Sequence, residues 1–247
     1  MLEKDKGICI RAMDYSETSQ ILTFFTARHG KVSAIAKGSR RRGKSSSYSG
    51  PFELLACGEM VFIPRSSDQL ATLNEFEQNF YTNAIRKNFT ALNAALFVAE
   101  LLNRFTIDYD PHELLYEEAV NFLKDVSQTN DKREILALLI LFQLILFSQI
   151  GGELILTHCA NCKCPYSPQW PYGFFSSSSH GLICPDCQNS FPDRMSLSKP
   201  VVDCFAQIKN VPRADMSTLA AMEEIIISHI TNILNRPPKM ANTILNL

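Results

Sequence analysis

The hydrophobic period of the chain changes near Asn83, and that change limits the fold to a β-rich unit followed by helices. Before it, five short runs alternate apolar with polar residues and are rich in β-branched and aromatic types: residues 7–15, GICIRAMDY; 20–27, QILTFFTA; 31–37, KVSAIAK; 52–64, FELLACGEMVFIP; and 69–76, QLATLNEF. Each predicts a strand. Between the second and third runs, Arg28-His29-Gly30 offers a glycine for the positive φ of a tight turn. Five short strands within residues 1–80 predict a small closed barrel. The OB-fold is the five-stranded barrel that most often binds nucleic acid, although periodicity leaves an SH3-like barrel open.

Beyond Asn83 the apolar residues of 84–105, of 112–126 and of the run ending at Ile150 fall at helical spacing. Asp131 supplies an N-cap, with Lys132, Arg133 and Glu134 as a first turn, and Gly151-Gly152 ends this central helix. A further helix near Met216–Leu234 stops at Pro237-Pro238. The run Ile135–Ile150 imitates a membrane span but is shorter than the ~20 apolar residues a bilayer needs, and it contains Gln143 and Ser148. It predicts a buried helix and no membrane partner. The N-terminal residues mix both charge signs without an apolar stretch, so no signal peptide is expected.

Between the helical pieces, residues 157–193 are rich in Pro, Ser, Gly and Cys and have nothing periodic to bury. Two C-x-x-C pairs stand there, Cys159 with Cys162 and Cys184 with Cys187, 21 residues apart. Each pair can turn two thiolates toward one ion, and two such knuckles make a closed tetrahedral zinc ribbon site. With four thiolates no coordination position is left for water, so the expected single Zn2+ is structural. Cys164, His158 and His180 lie near enough to compete as ligands and are expected not to; Cys9, Cys57 and Cys204 read as small apolar core residues. No histidine opens the H-x-E motif of a zinc deaminase, and the tract Ser176–Ser179 lacks a nucleophile elbow. Eight cysteines in 247 residues are too sparse for a secreted disulfide scaffold and suggest a cytoplasmic protein.

A net charge of −1 conceals an uneven distribution. Between Glu17 and Glu53 there is no acidic residue, while Arg28, Lys31, Lys37, Arg40, Arg41, Arg42 and Lys44 supply seven positive charges. Residues 38–45, GSRRRGKS, match the phosphate-binding pattern G-x-x-x-x-G-K-[ST]. That pattern works where a strand leads into a helix whose N-terminus meets the phosphate, but here a serine run, Gly50 and Pro51 follow and the next element reads as strand. The stretch therefore predicts a basic loop between barrel strands, with Lys37, Arg40, Arg41, Arg42 and Lys44 as contacts for a phosphate backbone and Tyr48 as an aromatic for base stacking. Phe24 and Phe25 must face opposite sides of their strand, so at most one of them can meet a base. Two other classes stay open: a zinc-ribbon protein that binds only proteins, and a nucleotide-binding enzyme using the P-loop-like stretch.

Residues 7–55, from GICIRAMDY through GSRRRGKSSSYSG to FELL, together with CANC, HGLICPDC and the tail ILNRPPKMANTIL, resemble the RecO family of recombination mediators. The resemblance implies an α+β multidomain chain: an OB-fold DNA-binding domain over 1–80, a helical domain over 81–156 and 191–247, and a zinc ribbon inserted at 157–190. It implies no enzymatic activity. The expected partners are single- and double-stranded DNA, RecR, and the C-terminal tail of single-stranded DNA-binding protein, in annealing strands and loading RecA recombinase during DNA repair, at the nucleoid. By position, Lys31, Lys37, Arg40, Arg41, Arg42 and Lys44 would be DNA contacts, and Cys159, Cys162, Cys184 and Cys187 zinc ligands.

Overall fold

The computed structural model describes residues 1–41, 48, 50–65, 69–80 and 82–247. Contacts divide the chain into two compact units, Met1–Gln128 and Thr129–Leu247.

In the first unit, β1 (Glu3–Asp14), β2 (Gln20–Thr26), β3 (Gly30–Ala36), β4 (Cys57–Ile63) and β5 (Ala71–Phe80) close a barrel in the order β1-β2-β3-β5-β4. A short parallel pairing of Ala34 and Ile35 with Ala71 and Thr72 completes the closure, as in an OB-fold. Alternation sorts the side chains: Leu22 and Phe24 of β2 and Val32, Ala34 and Ala36 of β3 point inward to the core, where Phe24 packs on Phe76 and Phe52 at ring distances of 5.5 and 6.2 Å.

On β1 the alternation is reset. Cys9 pairs with Phe24 and Arg11 with Thr23, which leaves Ile10 as an extra residue. Without this bulge the residue two places after inward Cys9 would be a buried Arg11; with it Ala12 packs on the core and Arg11 is exposed. The fourth strand is shorter than its apolar run. Leu55 adopts φ 69° and, with Ala56, exchanges backbone bonds with Cys9, so residues 52–56 form a turn against β1 and strand pairing starts at Cys57.

A buried carboxylate fixes the β2–β3 turn. Asp5 accepts hydrogen bonds from the backbone N–H groups of Lys6, Arg28 and His29 and lies 2.6 Å from His29 Nδ1. Burial opposes its ionisation, but these hydrogen bonds outweigh burial and hold the carboxyl below its ordinary pKa. Gly30 follows at φ 64°, and a Cβ there would lie 2.1 Å from the carbonyl oxygen of Asp110, so only glycine lets the segment after α2 pass β3.

Helices α1 (Asn83–Lys87), α2 (Phe89–Phe105) and α3 (Glu113–Gln128) belong to the same unit as the barrel, although the period changes at residue 83. The single helical pattern over 84–105 is broken at Asn88, whose extended backbone and side chain, accepting from Ala91 N–H, cap α2. Outward-facing Phe25 is buried by α3, with its ring 6.3 Å from that of Tyr116.

The second unit is built on α4 (Lys132–Gln149), capped by Asp131 and running to the Gly151-Gly152 break, which packs against α6 (Met216–Leu234). No helix of the described residues is long and apolar enough to cross a membrane. A three-stranded sheet of β6 (Gly173–Ser176), β7 (Gly181–Ile183) and β8 (Arg194–Leu197) leads into α5 (Lys199–Ala206), and α7 (Ala241–Leu245) ends the chain. Between α4 and α6, Gln143 Nε2 donates to Glu223 Oε2 at 2.7 Å, with both side chains buried. Burial pushes the Glu223 carboxyl up to about 8, against the opposing hydrogen bond from Gln143. Between pH 4.5 and about 8 the folded chain therefore holds a proton that the unfolded chain has lost, so this group's contribution to stability declines as pH rises through that window. Urea unfolding of wild type and Glu223→Gln is expected to show this decline in wild type and a flatter pH dependence in the variant; parallel profiles would refute the protonated carboxyl.

Candidate nucleic-acid interface and metal centre

The basic segment starts where β3 ends. Its first turn is closed by Arg41 N–H donating to Gly38 C=O and joined to the β1–β2 turn by Arg40 N–H donating to Thr18 C=O. The turn and the far end of the loop are held by one buried amide. Gln20 Oε1 accepts from Ser39 Oγ at 3.1 Å and from Phe52 N–H at 2.8 Å, while its Nε2 donates to Phe52 C=O and Asp14 Oδ1 at 3.3 and 3.5 Å. Because Ser39 and Phe52 stand at opposite ends of the loop, a single side chain sets the width of its base. Nothing in the local sequence marks Gln20 for this; the signal is only a polar residue at the start of an apolar strand.

Lys37 and Arg41 are exposed, and among the described residues neither has a carboxylate at ion-pairing distance. Arg40 reaches Asp14 at 3.2 Å and Ser16 C=O at 3.3 Å. Both partners of that pair are solvent-exposed, so it is weak. Arg42 and Lys44 lie outside the described residues. Among the described residues between β3 and β4 there is no helix; Lys44 and Ser45, where a P-loop helix would begin, lie outside them.

Two expectations are corrected. Lys31 is not displayed to solvent: its ammonium donates to Thr106 C=O at 2.7 Å and Asn103 C=O at 3.1 Å at the end of α2, and pairs with Asp108 at 3.3 Å, with 14% of the side chain exposed. A cation at a helix C-terminus satisfies carbonyls that the helix leaves without partners, so this lysine ties β3 to α2. Tyr48 is no stacking platform either, because its ring is buried among the barrel aromatics, 5.1 Å from Phe52, and its hydroxyl donates to Leu73 C=O at 2.6 Å. Burial lifts that hydroxyl to about 12. Phe24 and Phe25 are both fully buried, so neither meets a base.

In the second unit the two C-x-x-C pairs converge. The Sγ atoms of Cys159, Cys162, Cys184 and Cys187 all lie within 4.8 Å of one another. Cys162 Sγ and Cys184 Sγ are 3.8 Å apart, which matches the ~3.8 Å edge of a tetrahedron with metal–sulfur bonds of ~2.3 Å. The first knuckle is shaped by Cys159 N–H donating to Cys164 C=O and by Lys163 at φ 63°. The second is brought in by β7, whose Gly181 passes the Ile155 backbone so closely that a Cβ would lie 2.4 Å from its carbonyl oxygen. Backbone N–H groups aim at sulfur: Cys184 N–H donates to Cys159 Sγ at 3.3 Å. Burial alone would raise the Cys159 thiol, but the N–H groups of Cys184, Cys162 and Asn161 bring it down to about 7. Burial and the neighbouring thiols hold Cys184 high. Such a donor set fits a thiophilic metal ion that takes all four sulfurs as thiolates. Cys164 carries its exposed sulfur against Pro165 C=O and, like His158 and His180, is not part of the cluster.

Two family descriptions match nearly the whole chain: "Recombination protein O N terminal" over residues 1–80 and "Recombination protein O C terminal" over 86–240. The chain belongs to the recombination protein O (RecO) family. Among similar RecO proteins, the "DNA repair protein RecO" of Bacillus subtilis is 29% identical over 198 residues, 80% of this chain and 73% of that protein. The RecO of Bacillus velezensis is 30% identical over 199 residues with the same coverage, and that of Syntrophus aciditrophicus 28% over 197 residues, 79% and 74%. The RecO barrel is thus the unit carrying the basic turn, and the RecO C-terminal region carries the four-cysteine cluster.

Each part of this geometry has its own expected outcome. Replacing Gln20 with Ala removes hydrogen bonds at both ends of the loop and is expected to cost about 1–3 kcal/mol. It should also speed amide exchange at Arg40 and Arg41; exchange equal to wild type would show that the amide does not hold the turn. For the metal centre, elemental analysis of the purified chain should find one ion per chain, absent from Cys162→Ser and Cys187→Ser and retained in Cys164→Ser.

Proposed function

We propose that the protein is a non-enzymatic recombination mediator that binds single- and double-stranded DNA at the outer end of its barrel. In this reading it anneals complementary strands and, with RecR, helps load RecA recombinase onto DNA coated by single-stranded DNA-binding protein, whose C-terminal tail docks on the helical part of the chain. The work is done at the nucleoid.

The observation that carries the DNA-binding step is the pair Lys37 and Arg41, exposed on a hydrogen-bonded turn at the mouth of an OB-type barrel, in a stretch without acidic residues from Thr18 to Phe52. Arg40 joins them when it leaves Asp14, and Arg42 and Lys44 continue the same run in sequence. Cations held on a folded turn neutralise backbone phosphates and release condensed counterions, which supplies affinity without base specificity. Two strands drawn to one positive surface repel each other less, which speeds annealing with no bond made or broken in the DNA.

In the second unit Cys159, Cys162, Cys184 and Cys187 would hold one Zn2+, which a closed set of four thiolates in two C-x-x-C pairs suits. With no open coordination position it orders the segment 157–190 and takes no part in a reaction.

A salt titration of single-stranded oligonucleotide binding tests the reading. The Lys37→Ala, Arg41→Ala double variant is expected to weaken binding and to flatten the slope of log K against log salt by about 0.7 for each phosphate that is no longer neutralised. Lys31→Ala, whose ammonium serves α2, is expected to lower the melting temperature and leave the slope unchanged. Equal slopes for wild type and the double variant would end the proposal, as would magnesium-dependent ATP binding with no affinity for DNA.

A further inference from the structure

The outward face of β1, β2 and β3 divides into a covered half and an open half. Toward the Gly30 end, Phe25 is covered by Tyr116, and Lys31 by the end of α2 and the following segment, whose Tyr109 N–H donates to Lys31 C=O. Toward the basic turn the register lays out two cross-strand rows: Arg11 beside buried Thr23 beside Ser33, then the more open Met13 beside Ile21 beside Ile35. These are all outward positions, because the bulge at Ile10 has shifted β1 by one residue. Beyond the second row, β3 continues to exposed Lys37 and β1 to Tyr15.

Tyr15 is 63% exposed and Met13 45% exposed. Among the described residues Ile21 and Ile35 are half-buried. Met13, Ile21 and Ile35 share one cross-strand row, with exposed Tyr15 two residues past Met13 in the turn that follows β1; together they offer apolar surface, and the charges around it decide what it fits. Arg11 lies one row away on β1, Lys37 follows β3, and Arg40 and Arg41 stand on the basic turn; among the described residues Asp14 and Glu17 are acids of the β1–β2 turn, and Asp14 is engaged by Arg40, as Glu53 is by Arg86. The Tyr15 turn and the basic turn are also one assembly, since Tyr15 N–H donates to Ser19 C=O, Arg40 Nη1 donates to Ser16 C=O and Arg40 N–H to Thr18 C=O.

We infer that Tyr15, with the Met13, Ile21 and Ile35 row behind it, is the base-stacking platform of the barrel, receiving the unpaired bases of a single strand whose phosphates lie on Lys37, Arg40 and Arg41. This rests on the DNA-binding reading above. Exposed apolar surface beside a cluster of cations matches a polyanion whose bases present bare faces, and a single strand is that molecule. A duplex keeps its base faces stacked on one another and can use only the cations. The platform therefore confers preference for single strands, whereas the cations serve both forms. It also fills the role that Tyr48, inside the barrel, cannot.

The test uses the full chain, a fluorescent thymidine oligonucleotide and a hairpin duplex, each titrated at several salt concentrations. Tyr15→Ala is expected to weaken single-strand binding roughly five- to hundredfold. The salt slope should stay as in wild type, because the cations that meet the phosphates are all still present. Duplex binding should be unchanged, Tyr15→Trp should restore single-strand affinity, and Met13→Ala should weaken single-strand binding in the same way but by less. The inference is overturned if Tyr15→Ala binds single strands like wild type, if it weakens both forms equally, or if it changes self-association of the chain instead of DNA affinity. These failures are distinguishable from failure of the DNA-binding reading, which would appear as an unchanged slope in the Lys37→Ala, Arg41→Ala variant.

Discussion

The Gln20 amide is the interaction on which the proposed interface depends. It sits buried at the first residue of β2 and bonds Ser39 and Phe52, the two ends of the basic loop, while its nitrogen reaches Asp14 at the end of β1. Cations on a loose loop lose conformational freedom when they engage a phosphate; cations on a turn already fixed to the barrel lose less. An unpaired amide in this setting costs about 1–3 kcal/mol, so its hydrogen bonds stand or fall as a set.

The positive charges of the barrel differ in use because of what their neighbours leave unsatisfied. Lys31 lies across the end of α2, whose carbonyls lack helical partners, and becomes a bolt between strand and helix. Further along the same outward face, Lys37 is exposed to solvent. The same division separates Phe25, buried under Tyr116, from the open row of Met13, Ile21 and Ile35.

Much of this was legible in the sequence. Alternation located all five barrel strands, though not β6, β7 and β8, helical spacing located α2, α3, α4 and α6, and the two C-x-x-C pairs named the four thiols that converge. What escaped depends on partners distant in the chain or on backbone irregularity. Lys31 and Tyr48 sit in a basic, aromatic stretch that reads as an interface, yet their partners are Asn103, Thr106 and Leu73, which no local pattern announces. The left-handed turn at Leu55 and the extra residue Ile10 leave the apolar run intact while changing where a strand starts or which way it faces. Asn88 shows the reverse: an N-cap residue inside a helical pattern, whose capping bond splits the helix in two.

In the proposed function the open end of the barrel, and not the cysteine-bearing segment, receives the nucleic acid. Amide hydrogen exchange of the full chain, measured with and without a saturating thymidine oligonucleotide, tests it most directly. Slowed exchange is expected at residues 11–16 and 33–41, with residues 157–190 unaffected. Protection confined to 157–190, with the barrel turns exchanging as in the free protein, would contradict it.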